Sequence, residues 1–94
     1  SEDGIMIVVM TLERHSNVVL AGPDIVSRGF VYVRESEDLM EDAKEVVENA
    51  LDSCLERNIT DWGKIKNTVK DALSDFLWKR TKRSPMILPI IMEA

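Results

Sequence analysis

The chain has 94 residues and a net charge of −5, and hydrophobic residues make up 45% of it. That length suits one small domain with a single core, and the composition is typical of a globular protein rather than a disordered one. No apolar run is long enough to span a bilayer, and no signal peptide is recognisable. Because the single cysteine, Cys54, fits a reducing compartment, we expect a cytoplasmic protein without membrane insertion.

Two apolar runs near the N-terminus predict a β-hairpin. The first run, "GIMIVVMTLE", is rich in β-branched residues, and the polar turn formers "RHSN" separate it from the second run, "VVLAG". The chain starts without Met and reaches its first strand within a few residues. We therefore expect an excised piece of a longer protein.

The next stretch, "GPDIVSRG", predicts a loop, because its glycines and its proline favour turns. A phosphate-binding loop would place successive glycines and a lysine before a helix, whereas this stretch precedes a third short strand, "FVYV". Asp24 and Arg28 are close enough to pair across the loop. We interpret them as a structural lock rather than as a binding site.

Two amphipathic segments predict a helical hairpin. Ser36 is suited to cap a helix that runs to about Arg57, with apolar residues at three- and four-residue steps and acidic residues on the opposite face. Asn58 suits a left-handed position after this helix. Thr60 suits the N-cap of a second helix over roughly Asp61 to Lys82.

The closing run, "PMILPIIM", predicts a last strand, in which Pro89 removes a backbone donor and so indicates an edge or irregular position. The predicted element order is β-β-β-α-α-β. We therefore predict an α+β fold in which a small mixed or antiparallel sheet of about three or four strands packs on the two-helix hairpin.

The first and last strands are apolar on both faces. Two helices can cover only one of these faces. Burying a large apolar side chain stabilises a protein by roughly 1.5–3 kcal/mol, so a second face left in water would lose a free energy comparable to the stability of a small domain. We predict that another copy of the chain covers it; the alternative is that the hairpin curls over it. Ile7, Val8, Leu88 and Ile91 are the possible interface residues, because the sequence does not tell which face meets the helices.

A basic cluster ends the second predicted helix. It consists of Lys79, Arg80, Lys82 and Arg83 beside Trp78. Such side chains could contact the phosphates of RNA and stack on a base. The alternative is structural, because cations in the last turn of a helix meet the negative end of its dipole.

The remaining reactive residue types give no catalytic site. His15 lies in a predicted turn without other metal ligands around it, and Cys54 lies on the apolar stripe of the first helix. A solvated turn residue and a core residue are the better interpretations. We predict no catalytic residue, no metal ligand and no cofactor in this chain.

Two long blocks, "GPDIVSRGFVYVRES" and "KRTKRSPMILPIIMEA", together with the acidic helix after the first, strongly resemble the C-terminal domain of bacterial ribonuclease J. This family belongs to the β-CASP branch of the metallo-β-lactamase superfamily, and the resemblance covers essentially the whole chain. It implies a piece of an RNA-processing and RNA-decay enzyme with endonuclease and 5′-3′ exonuclease activity, supported by zinc or, in some members, manganese. The family's histidine-rich motifs, such as HxHxDH, are absent here, so no catalytic or metal-binding position is carried over.

The resemblance also implies an organisation. Residues 1–94 would form a single C-terminal accessory or oligomerisation domain of a larger ribonuclease, with a homodimer or higher homo-oligomer formed through the sheet. RNA would be the substrate of the parent enzyme, and proteins of an RNA-decay complex would be further partners. We therefore expect a non-catalytic assembly module; the alternative is an RNA-contacting module that guides substrate through the basic cluster Lys79–Arg83.

Overall fold

A computed structural model describes residues 3–30 and 36–94. The elements follow the order β-β-α-α-β, which is an α+β fold as predicted, and they are β1 (Ile5–Leu12), β2 (Val19–Arg28), α1 (Ser36–Glu56), α2 (Trp62–Thr81) and β3 (Met86–Glu93). The predicted strand "FVYV" begins at Phe30, which is not in a strand, and otherwise lies outside the described residues. Neither α1 nor α2 carries an apolar stretch that could span a bilayer.

The three strands form one mixed sheet with β1 in the centre. β1 pairs with β2 in antiparallel fashion and with β3 in parallel fashion, in the order β2-β1-β3. A parallel neighbour requires a long crossover between strands, and the two helices are part of that crossover. The prediction of a small sheet against a helical hairpin is confirmed, and the sheet is mixed.

The core lies between the helices and one face of the sheet. Along β1 every second side chain is buried, because successive residues of a strand point to opposite faces. The helices contribute stripes of buried residues at three- and four-residue steps. The core residues from these three elements are Met6, Val8, Met10 and Leu12 from β1, Leu39, Ala43, Val47, Ala50, Leu51 and Cys54 from α1, and Ile65, Val69, Leu73 and Leu77 from α2.

The stretch predicted as a loop is part of a strand. β2 continues through a cis peptide bond between Gly22 and Pro23 and pairs with β1 on both sides of a register irregularity opposite Val9 and Thr11. Gly22 has a φ of 85°, and a Cβ there would overlap the carbonyl oxygen of Val9. The loop prediction is wrong because glycine and proline here mark a bulge inside a ladder rather than its end.

The N-terminal cap of α2 differs from the predicted one. Asp61, rather than Thr60, is the N-cap of α2, and its side-chain oxygen accepts a hydrogen bond from the backbone N–H of Gly63 at 2.7 Å. The prediction of Thr60 is wrong by one residue because threonine and aspartate are both good N-caps, so residue type does not decide between neighbours. Asn58 has a φ of 56°, as predicted, and Lys82 ends α2 with a φ of 59°.

A buried asparagine joins the β1–β2 turn to the connection between the helices. Asn17 accepts a hydrogen bond at its Oδ1 from Nε1 of Trp62 at 3.1 Å and donates from Nδ2 to the carbonyl oxygen of Thr60 at 3.4 Å. Its φ of 60° is left-handed, a conformation that asparagine tolerates better than most residues. One side chain thus satisfies two polar groups and fixes the helices against the sheet.

We expect the substitution Asn17→Gly to lower the free energy of unfolding by about 1–2 kcal/mol more than Asn58→Gly. Both asparagines have a positive φ, so glycine preserves the backbone at each, and the difference isolates the side-chain bonds of Asn17. Denaturant unfolding of the two variants measures it. Equal losses at the two positions would contradict the role of Asn17.

Candidate functional site

The sheet face opposite the helices is apolar and exposed. We call it the open face, and its centre consists of three rows of residues that lie side by side across the strands. The rows are Arg28, Ile5 and Met86; Val26, Ile7 and Leu88; and Asp24, Val9 and Ile90. The exposed fractions of its outer apolar residues are 42% for Val26, 50% for Met86, 42% for Leu88 and 43% for Ile90, with Met92 at 55% beyond them.

The structure divides the four predicted interface residues between the two faces. Ile7 and Leu88 are cross-strand partners in the middle row of the open face. Val8 is fully buried under the helices, and Ile91 packs against the core. The helices therefore cover the face that carries Val8 and Ile91, and only Ile7 and Leu88 remain available to a partner.

Pro89 removes a backbone hydrogen-bond donor from the free edge of β3. The backbone N–H of Met86 donates to the carbonyl oxygen of Gly4 at 2.9 Å and that of Ala94 donates to Leu12 at 3.1 Å, so the even-numbered residues of β3 direct these groups toward β1. Backbone groups of consecutive strand residues point to alternate sides, so Pro89 removes a donor from the outer side. Its predicted position at an edge is confirmed, and extension of the sheet at this edge is disfavoured.

Asp24 and Arg28 lie on the open face and do not form the predicted lock. They stand four residues apart along β2, a distance of about 13 Å in an extended strand, opposite Val9 and Ile5 respectively. Nη1 of Arg28 donates to the carbonyl oxygen of Ser27 at 3.1 Å. Among the described residues neither Asp24 nor Arg28 has an ion-pair partner, and they are the only charged members of the three rows.

The first two cations of the basic cluster have acidic partners on the helices. Nζ of Lys79 lies 3.0 Å from a carboxylate oxygen of Asp75, one turn back along α2. Nη1 of Arg80 lies 2.8 Å from Oδ2 of Asp42 on α1, and its guanidinium is 5.7 Å from the ring centroid of Phe76. The pair between Arg80 and Asp42 joins the two helices, and both ion pairs reduce the positive charge that the cluster presents.

The other two cations also have partners within the chain. Nζ of Lys82 lies 5.6 Å from the ring centroid of Trp78, which is half-exposed. Nη1 of Arg83 lies 3.7 Å from a carboxylate oxygen of Asp3. Exposed pairs of this kind contribute at most about 1 kcal/mol each, so they weaken the attraction for RNA without blocking the site sterically.

We expect the domain to bind single-stranded RNA weakly, with little salt dependence, because each cation of the basic cluster already has an anionic or aromatic partner. Fluorescence anisotropy over a salt series would compare it with the variant K79Q/R80Q/K82Q/R83Q and with the equally charged control K44Q/R57Q/K66Q/K70Q. A steep salt slope that only the first variant flattens would instead support RNA contact.

The residues with catalytic potential are not assembled into a site. His15 is exposed in the β1–β2 turn, and Cys54 is buried in the core. In residues 3–30 and 36–94 no three or more histidine, cysteine, aspartate or glutamate side chains come together as a metal site. The described residues therefore do not fit the zinc or manganese that the family resemblance implies.

One carboxylate has a perturbed acidity. Hydrogen bonds from the backbone N–H groups of Ser16 and His15, and then from the Ser16 hydroxyl, lower the pKa of Glu13 from its ordinary value of 4.5. The Ser16 N–H lies 2.6 Å from Oε2 and the His15 N–H lies 2.7 Å from it. These bonds close the β1–β2 turn, and they favour the ionised form.

Because the pKa of Glu13 is depressed in the folded state, its ionised form stabilises the fold above about pH 4.5 and loses that effect as pH falls through the folded value. We expect an NMR titration of the Glu13 carboxyl to have its midpoint below 4.5. The stability difference between the wild type and Glu13→Gln should shrink as the pH is lowered. A midpoint at or above 4.5 would contradict the turn geometry.

Comparison with known proteins gives a match over the whole chain. The family model for the ribonuclease J C-terminal domain matches residues 1–94. Ribonuclease J2 of Bacillus subtilis (strain 168) is 48% identical over 93 residues, which are 99% of this chain and 17% of that protein. Ribonuclease J 2 of Staphylococcus aureus (strain NCTC 8325 / PS 47) is 47% identical over the same shares. The chain thus spans 17% of the length of these curated relatives.

Proposed function

This chain belongs to the ribonuclease J C-terminal domain family, and from that premise we propose that it is a non-catalytic assembly module of a cytoplasmic ribonuclease J-like enzyme that processes and degrades RNA. A second copy of the domain covers the open face. The endonuclease and 5′-3′ exonuclease activities, with their zinc or manganese, belong to the rest of the enzyme. The same holds for the RNA substrate and for partners in an RNA-decay complex.

The open face is the observation that carries this proposal. Scattered exposed apolar residues are normal on a monomer, but here they are contiguous across all three strands. Several of them keep about half of their surface in water, and full burial of a large apolar side chain gives about 1.5–3 kcal/mol. Covering the face therefore offers several kcal/mol, which is a large part of the stability of a small domain.

A second copy is a suitable partner for this face because two sheet faces can pack on each other about a two-fold axis, the commonest symmetry of homo-oligomers. Seven residues of three strands span about 14 Å by 23 Å. That is roughly 300 Å² on each copy, below the size of most stable interfaces, so we expect the isolated domain to associate only weakly, at high micromolar concentration. In the whole enzyme, contacts elsewhere would add to it.

RNA contact through the basic cluster is the competing function. The half-exposed ring of Trp78 favours it, since aromatic side chains stack on bases. The ring, however, already lies against Lys82, and the neighbouring cations have acidic partners within the chain. Assembly through the open face needs no existing contact to be broken, and we favour it for that reason.

We expect the wild-type domain to dimerise at high micromolar concentration and Leu88→Lys to be a folded monomer, because a lysine there puts a charge into the interface. Val8→Lys should unfold the domain, because Val8 is buried under the helices. Sedimentation velocity and circular dichroism measure the two properties. Asn67→Lys is the matched control, because it adds the same charge at an exposed position of α2.

Two results would contradict the assembly proposal. One is a wild-type domain that stays monomeric throughout the concentration range. The other is a Leu88→Lys variant that dimerises as well as Asn67→Lys does, because the contact would then lie elsewhere on the domain.

A further inference from the structure

The charges of the open face are arranged symmetrically about its middle row. Val26, in that row, lies between Asp24 and Arg28 along β2, two residues from each. All other members of the three rows are apolar. The three rows therefore carry one negative and one positive charge, both on β2. These charges lie at equal distances on either side of a line that runs across the strands through Val26, Ile7 and Leu88.

Two aligned arrangements can pack this face on itself. Packed sheets commonly keep their strand directions within about 30° of each other, so the two-fold axis lies in the plane of the interface and runs either along the strands or across them. An axis along β1 would place β2 of one copy over β3 of the other. Asp24 would then lie against Ile90 and Arg28 against Met86, where burying a charge without a partner is costly.

An axis across the strands gives matched contacts. It places β2 of one copy over β2 of the other in the opposite direction, so the middle row lies over itself. The row that contains Arg28 then lies over the row of the other copy that contains Asp24. In the same arrangement Ile5 meets Val9 and Met86 meets Ile90, so charges meet opposite charges and apolar residues meet apolar residues.

We infer that two copies of this domain pack with their strands antiparallel about a two-fold axis along the row Val26, Ile7 and Leu88, so that Asp24 of each copy forms an ion pair with Arg28 of the other. The inference rests on the proposed assembly function and gives its geometry. β2 is an edge strand, so the two reciprocal pairs lie at the rim. There they fix the orientation of the contact more than its affinity.

Charge reversal on the open face tests this arrangement. The variant D24R places two positive charges opposite each other at both pairs, and R28D places two negative charges there. We expect each variant alone to have its dimer dissociation constant raised at least about tenfold, because like charges face each other at the rim. The double variant D24R/R28D should regain the wild-type dissociation constant, because both pairs are restored with their signs exchanged.

A mixture of the single variants is the sharpest measurement. D24R and R28D in equal amounts should form a heterodimer, since every pair between them is attractive, although each alone associates poorly. Sedimentation velocity with one variant labelled detects it. The control exchanges the exposed pair on α2 in the variant D75K/K79D, which should dimerise as the wild type does.

The outcomes separate this inference from the function on which it rests. The antiparallel arrangement would be overturned if D24R and R28D left the dissociation constant of the dimer unchanged. It would also be overturned if both variants were weakened but did not associate in the mixture. Either result would leave assembly through the open face intact. A monomeric wild-type domain would overturn both. Asp24 and Arg28 are exposed, so folding should survive the changes, and the double variant tests the arrangement at unchanged net charge.

Discussion

The central position of β1 is the constraint on which the rest of this structure depends. Its side chains alternate between the helices and the open face, and they are apolar on both sides. The helices satisfy one side with a closely packed core that includes Met6, Val8 and Met10. Nothing in the described residues covers the other side. A single strand pattern thus accounts both for the packed core and for the apolar face that the described residues leave exposed.

Contacts at both ends of β1 hold the helical layer against the sheet. At one end Asn17 connects the hairpin turn to Trp62 at the start of α2. At the other end, Asp3 accepts a hydrogen bond at 2.7 Å from the N–H of Ser84, just after α2, and Gly4 accepts one from the N–H of Met86. These contacts at the two ends of β1 fix the sheet, and the open face with it, in one conformation. A surface that is pre-organised in this way loses less conformational entropy when it associates.

Much of the fold could be predicted because periodicity is a local property of the sequence. The stripes of α1 and α2, the central hairpin and the edge position of Pro89 follow from spacing and residue type alone. The continuation of β2 through Gly22 and Pro23 could not be predicted, since the same residues end strands and form bulges. The hydrogen bond between Asn17 and Trp62 joins residues 45 positions apart, and no local pattern indicates such a contact.

The site was predictable only as a set of alternatives, for a physical reason. A strand that is apolar on both faces does not reveal which face meets the helices, so Val8 and Leu88 were equivalent until the helices were placed. Asp24 and Arg28 are close in sequence, which suggests a pair, but their extended backbone separates them and directs both to the open face.

Ion pairing differs between the basic cluster and the open face among the described residues. The basic cluster has the composition expected for RNA contact, yet its cations have partners on α1, on α2 and near the N-terminus. The two charges of the open face have no ion-pair partner among the described residues, and they lie at either side of an apolar row. In the proposed two-fold contact each of them would lie on the opposite charge of a second copy, and this is why we consider the surface with the fewer charges better suited to specific recognition.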